Sequence, residues 1–459
     1  MILAAILIFV LGYAAIAFEH PLKINKTAPA LMTGALIWTI IASFGHSNSG
    51  ILAFMDHELA SKLPTGVELS YLEKVKYFLK EHLGEIAEIL FFLMGAMTIV
   101  ETVDAHQGFK VITNRIKTKD QRKLLWIIGL VTFFLSSVLD NLTTAIVMVS
   151  LLRRLVHDDK QRMFFVGMVV IAANAGGAWS PIGDVTTTML WIKGQITDIN
   201  IMKTLILPSL VCLIVPIVIA NFFLKGDVVR HDYDNDQARK DENVRGSGLM
   251  FTLGVLGLIF VPAFKILTHL PPYIGMLISL SVVWIVSELL HLDKAEEERK
   301  EYTALHALTK IDVPSVLFFL GILLAIGGLQ SMGVLHSLAE WMNHTIGDRH
   351  VIALAIGVAS AIIDNVPLVA ASQGMYNEAF LAAKEGFGVD GSFWEFLAYT
   401  AGTGGSMLII GSAAGVAVMG MEKIDFFWYL KKIGWLAMLG YLAGAGVYML
   451  IYPYLLVAH

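Results

Sequence analysis

One cysteine, Cys212, occurs in 459 residues, and it lies inside an apolar run, so an intramolecular disulfide is excluded. The residue reads as a small core side chain. Charge is also scarce: Asp, Glu, Lys and Arg make up 15% of the chain, with a formal net charge of −5. A charge that small and dispersed excludes the basic surface that nucleic-acid binding requires. The signatures of intramembrane hydrolysis are missing too. No HExxH occurs, and Gly183-Asp184 stands in PIGD, not in GxGD. No catalytic nucleophile, resident metal or cofactor is expected, and the chain does not read as an enzyme.

What is present is apolar. Hydrophobic residues make up 56% of the chain, and the mean hydropathy is +0.69. A soluble core stops growing well before it needs this much apolar surface. Apolar runs of membrane-spanning length recur, which gives an all-α polytopic membrane protein whose main partner is the lipid bilayer. Candidate crossings fall at 1–18, 28–44, 85–103, 163–193, 204–224, 249–264, 272–290, 313–330, 394–420 and 428–453. The opening stretch has a cleavage-like Ala15-Ile16-Ala17 but no basic residue before its apolar run, so it reads as a retained span.

Two further apolar stretches, 124–152 and 349–375, each carry an acid in mid-run: "SSVLDNLTTA" with Asp140 and "SAIIDNVPLV" with Asp364. If both are hairpins that enter and leave on one side, ten crossings remain. Most of the 33 Lys and Arg residues then fall on one face of the membrane. They include the cluster from Lys110 to Lys123 and the group Arg153, Arg154, Lys160 and Arg162, which flank the first hairpin at both ends. The positive-inside rule makes that face cytoplasmic and puts both termini outside.

The hydrophilic linker 225–248 divides the chain into halves, 1–224 and 249–459, that echo each other. "ILFFLMGAMTIV" answers "VLFFLGILLAIG", Asp140-Asn141 answers Asp364-Asn365, and "AGGAWSPIGD" answers "TGGSMLIIGS", in the same order. Each half holds five crossings and one re-entrant hairpin, at about 124–155 and 349–382. Five is odd, so the halves form an inverted repeat, a frequent architecture of secondary transporters.

A carboxylate at membrane depth is costly and usually faces a cavity or a partner. Helix ends at a hairpin tip free backbone groups for ions. Around Asp140 and Asp364 stand Asn141, Thr143, Thr144 and Asn365, a set of oxygens suited to a hard cation such as Na⁺. The competing role for each acid is a helix cap. The second polar element is the pair of glycine-rich interruptions at 176–184 and 404–412, which read as broken helices within 163–193 and 394–420. They present Asp184, Thr186 and Thr187 in the first half, and Thr403, Ser406 and Ser412 in the second. Asp184 pairs with Ser412, so the first half holds one acid more. Glu101, Asp104 and His106, in "IVETVDAHQGF", form a candidate pH-sensing group or a solvated helix end.

Taken together, "LDN", "GG…PIGD", "IDNVP" and "GTGG…IIGS" resemble the ion transporter superfamily, and most closely the NhaD-type sodium/proton antiporters. "GYAAIAFEHPLKINKTAPALMTGALIW" resembles that family as well. The resemblance implies export of Na⁺ or Li⁺ against inward protons in the inner membrane of a bacterium. It implies functional roles for Asp140, Asn141, Asn174, Asp184, Thr186, Thr187, Ser360, Asp364 and Asn365, with Na⁺ at Asp140, Asp184 and Asp364. It further implies a homodimer with an elevator-like displacement. Related carboxylate carriers bear Ser-Asn-Thr at each tip, where this chain has Asp-Asn. The alternative is a Na⁺-coupled carrier of a dicarboxylate or an arsenite-like anion.

Overall fold

The computed structural model describes residues 1–60, 62, 64, 69–113, 116, 118–229, 244–293, 295–376 and 384–456. Arg115 and Lys117 of the basic cluster, most of the linker and the far end of the second expected hairpin lie outside that set. Among the described residues the structure is helical, without a strand longer than one isolated bridge. Eight helices among the described residues are long and apolar enough to cross a membrane. Large side chains such as Phe222 (74% exposed), Leu267 (78%) and Leu450 (71%) point outward, which suits lipid and would be a liability in water.

Every expected crossing has a helical counterpart, with two differences of detail in the third and last spans and with the expected breaks in the glycine-rich ones. The third span begins at Tyr71, not 85, because the polar stretch before the apolar run continues the same helix to Ala105. The last span is interrupted by a π-helical turn at Leu430–Gly434, between Phe426–Tyr429 and Trp435–Leu456. The two glycine-rich spans are broken, as Asp159–Gly177 then Val185–Ile192, and as Ser392–Gly404 then Ala413–Glu422. Three expected crossings, Ile2–Ala17 and the two broken spans, fall short of crossing length or hydropathy, while Gln121–Leu139 of the first expected hairpin reaches it, which brings the number among the described residues to eight.

The chain forms two compact units. The first holds residues 1–91, 312–352 and 366–388. Its centre is the packing of Thr27–Phe44 on Val313–Ser331. Thr27 Oγ1 donates to the Pro314 carbonyl at 2.8 Å and Trp38 Nε1 to that of Leu324 at 2.9 Å. Both donors would be costly to bury unpaired in an apolar medium.

The second unit holds residues 92–311, 353–365 and 389–459, and contains both acidic tips and both broken helices. From Phe165 to Gly177 and from Ser392 to Gly404 every residue is buried. A helix apolar on all sides belongs at the centre of its unit, and these two are surrounded by Gln121–Leu139, Asn141–Leu155, Asp198–Phe223 and Trp435–Leu456. Gln121–Leu139 and Asn141–Leu155 are separated by Asp140 alone. Their outer ends meet one segment: Val228 N donates to the Lys119 carbonyl (2.8 Å), Gln121 N to that of Gly226 (3.2 Å) and His157 N to that of Val229 (2.8 Å). The two arms therefore run antiparallel from a common base to the Asp140 tip.

Candidate functional site

Asp140 ends one helix and starts the next. Its carboxylate accepts the Thr143 amide (2.8 Å) and the Thr143 hydroxyl (2.7 Å). Its backbone stands at φ 82°, ψ 159°, a region that side-chain-bearing residues rarely adopt and that costs on the order of 1–3 kcal/mol. Asp140 is thus a helix cap held in a strained conformation. The second tip lies between Arg349–Ala359 and Asn365–Met375.

The glycines at the breaks are required by close approach of the neighbouring backbone. A Cβ on Gly176 would lie 2.2 Å from the Phe133 carbonyl oxygen, and one on Gly404 would lie 2.1 Å from that of Gly357. These contacts are the same contact made twice, once per half. So are the hydrogen bonds of the tip serines: Ser136 Oγ donates to the Ala173 carbonyl (2.6 Å) and Ser360 Oγ to that of Ala401 (2.8 Å). Each tip is seated against its own broken helix by repeat-related residues.

Asp184 is where these elements meet. It is 1% exposed and N-caps Val185–Ile192, its Oδ1 accepting the Thr186 amide at 2.9 Å. Oδ2 accepts from Asn141 Nδ2 at 2.8 Å and from Asn365 Nδ2 at 3.4 Å. The two asparagines of the Asp-Asn tips thus reach one carboxylate from opposite halves of the sequence. Asp140 and Asp364 lie near enough for their charges to repel that of Asp184. Asn141 Nδ2 also donates to Asn174 Oδ1 at 3.0 Å. Asn174 in turn donates through Nδ2 to Ser406 Oγ (2.9 Å) and Ser412 Oγ (3.0 Å), joining the first broken helix to the second.

Of the expected residues, Asp140, Asn141, Asn174, Asp184, Thr186, Asp364, Asn365, Ser406 and Ser412 come together here. Thr143 serves the Asp140 cap. Thr187 Oγ1 donates to the Asp184 carbonyl (2.9 Å), Thr403 Oγ1 to that of Tyr399 (2.6 Å), and Ser360 to its broken helix, so their hydroxyls are engaged by backbone. Thr144 Oγ1 is buried without a hydrogen-bond partner among the described residues. No group of three His, Cys, Asp or Glu side chains among those residues is placed to hold a metal. The three aspartates therefore do not form one all-acid cage, and the groups that contact the Asp184 carboxylate directly include the side-chain amides of Asn141 and Asn365 and the Thr186 N–H.

Glu101, Asp104 and His106 stand apart from this centre. Asp104 lines a cavity of about 320 Å³ with Lys110, Ser150 and Arg154. Glu101 lies within electrostatic reach of Asp104 and Lys310. His106 is fully buried, its ring 5.1 Å from that of His291 and 5.4 Å from that of Tyr302. Sequence reasoning missed Tyr429, whose hydroxyl donates to the Ser406 carbonyl at 2.9 Å. It also missed the buried carboxylate of Glu422, held by Arg153 Nε (2.6 Å) and Arg162 Nε (2.7 Å). Neither has a local signal, because both contacts join distant segments.

A polytopic helical chain whose broken helices gather buried acids and amides falls in the class of membrane transporters. The family model described as citrate transporter matches residues 13–386. The chain is 47% identical over 450 residues to sodium/proton antiporter 1 of Arabidopsis thaliana, spanning 98% of this chain and 72% of that one. Identity to sodium/proton antiporter 2 of the same plant is 44% over 451 residues, covering 98% and 99%. To the Na⁺/H⁺ antiporter NhaD of Alkalimonas amylolytica it is 29% over 477 residues, covering 97% and 89%. The chain belongs to the citrate transporter family, among relatives that carry the name of sodium/proton antiporter.

Proposed function

We propose that this protein is a secondary active antiporter that exports Na⁺, or Li⁺, in exchange for protons, serving pH and sodium homeostasis. The observation that carries the reading is the convergence of Asn141 and Asn365 on the buried carboxylate of Asp184, with Asp140 and Asp364 close by. The names of the relatives supply Na⁺ and H⁺, and the resemblance to the NhaD-type antiporters supplies Li⁺.

The mechanism is competition for one set of oxygens. With the site open inward, Na⁺ displaces protons from Asp140, Asp184 and Asp364, with Asn141, Asn174, Asn365, Thr186, Ser406 and Ser412 contributing neutral ligands. With the site open outward, protons displace Na⁺. A carboxylate that is empty and charged is costly to carry through the membrane, so neither ion crosses without the other. The repeated tip contacts support a repeat of the two halves, and the resemblance to the NhaD-type antiporters supports its inversion, an elevator-like movement and a homodimer. The basic residues at the base of the first hairpin support a cytoplasmic opening with both termini outside. The NhaD relatives support a bacterial inner membrane as the location, and the plant relatives a wider distribution of the exchange.

The family description names citrate, and a Na⁺-coupled anion carrier would share the architecture. An anion needs a cationic pocket or donors free to bind it. Among the described residues the donors that face Asp184 are taken up by its own carboxylate, and two further acids stand near it, a setting that attracts cations. The test is fluorescence dequenching in inverted vesicles, with Na⁺, Li⁺ or K⁺ added across a pH series. Proton release on addition of Na⁺ is expected. Uptake of a labelled dicarboxylate without that release would replace this reading with the carrier.

A further inference from the structure

The repeat that pairs Asp184 with Ser412 also pairs Asn174 with Gly402. Asn174 fills its place with an amide bonded to Asn141, Ser406 and Ser412. Gly402 puts no side chain there, although it lies inside the helix Ser392–Gly404, where glycine weakens the helix relative to alanine. Packing does not account for it. Cβ atoms on Gly176, Gly177, Gly183, Gly404, Gly405 and Gly411 would each fall between 2.1 and 2.8 Å from a backbone carbonyl oxygen, so those glycines are demanded by the fold. A Cβ on Gly402 would meet no backbone oxygen. Its nearest neighbours would be the Ala178 Cβ at 3.3 Å and Asp184 Oδ2 at 3.7 Å. A methyl group fits there with a shift of a few tenths of an ångström, and what it would stand against is the carboxylate.

We infer that Gly402 sets the size of cation that Asp184 accepts, because without a side chain there no carbon stands against Oδ2 from that side and the carboxylate stays free to move outward for a larger ion. This rests on the cation site proposed above. The two halves thus differ in function at this position: the first supplies a ligand-holding amide, and the second leaves the carboxylate unconfined. Li⁺ is smaller than Na⁺ and draws its oxygens closer, so it needs less of that freedom. Gly402→Ala therefore disfavours Na⁺ more than Li⁺. One methylene more or less in a hydrophobic pocket shifts discrimination by roughly 10–200-fold, and the lower end is expected for a methyl set against a carboxylate.

The measurement is binding of radioactive sodium to the purified protein in detergent, with competition by unlabelled Na⁺ and Li⁺ and without a proton gradient. Gly402→Ala is expected to raise the Li⁺ over Na⁺ preference by about tenfold. Gly420→Ala, whose Cβ would meet nothing within 4 Å, is expected to leave it unchanged. Should the single variant unfold, Ala178→Gly with Gly402→Ala removes the nearest contact and keeps the methyl on Asp184. Equal loss of both ions, or no change in their ratio, would overturn the inference. Because binding is read without exchange, absence of Na⁺-driven proton release in vesicles would sink the antiport reading and leave this one standing.

Discussion

Replacing Asp184 by asparagine separates its two duties. The carboxylate now offers Oδ1 to the Thr186 amide and Oδ2 to the amides of Asn141 and Asn365. Asparagine has one acceptor. If that oxygen keeps the Thr186 cap, the new NH₂ group confronts two donors. If it turns to Asn141, the cap is lost. A hydrogen bond to a charged group contributes about 1.5–3 kcal/mol and an N-cap about 1 kcal/mol, so either arrangement costs roughly 2–4 kcal/mol. The cation loses its central negative ligand as well. At the lower figure for the lost ligand, about 2 kcal/mol, the loss corresponds to about thirtyfold in affinity, which sets the minimum expected rise in half-saturating Na⁺. The assay is cation-induced dequenching in inverted vesicles at several pH values, with variant amount fixed by immunodetection. Half-saturating Na⁺ within about tenfold of the parent protein would refute the argument that Asp184 is the centre of the site.

Asp140→Asn should behave differently. Asparagine can still accept the Thr143 amide and tolerates positive φ better than most residues, so melting in detergent is expected to stay near the parent while exchange is lost. Retained exchange would leave Asp140 as a cap only. Ser406→Ala with Ser412→Ala deprives Asn174 Nδ2 of both acceptors; a buried donor left unpaired costs about 1–3 kcal/mol, to be read as a lower melting temperature with weaker Na⁺ binding. Glu422→Gln breaks the hold on Arg153 and Arg162. The first of these guanidinium groups is 46% exposed, so the cost should fall below the roughly 3–5 kcal/mol of a fully buried pair, at about 2 kcal/mol in thermal or denaturant unfolding. Outside the membrane, Asp348 is held below the ordinary carboxylate value because its carboxylate accepts the amides of Val351 and His350. That cap is fully present above the unfolded value of about 3.9 and is lost as pH falls through the lower folded one. The protection of those two amides, taken relative to the intrinsic exchange rate at each pH, should fall only in that acid range, and a fall near neutrality would contradict it.

The elements were legible because each has a local chemical cause. Apolar run lengths mark the crossings, paired glycines mark the breaks, and an aspartate in mid-run marks each tip. The centre was legible only in part. Asp184 could be picked out as an acid in a break, but its partners Asn141 and Asn365 come from distant segments. Asn174 carries no mark in its own helix; its role depends on Ser406 and Ser412 being brought beside it. His106 stands next to acids in sequence, yet its ring stacks on His291, a contact that only tertiary structure creates. The π-helical turn at Leu430–Gly434 was hidden in a run that reads as an unbroken helix.

The backbone at Asp140 also affects how this protein responds to selection. At φ 82°, ψ 159° the residue best suited to the conformation is glycine, not aspartate. Asp140→Gly would release a strain of about 1–3 kcal/mol while deleting the carboxylate, and only part of the gain would be offset by the lost Thr143 contacts. A screen for heat-resistant or well-expressed variants, run without an activity readout, would be drawn towards this substitution and would collect sturdy but inactive protein. A screen under sodium stress would remove the same clones. The tip thus marks a point where robustness and activity select in opposite directions.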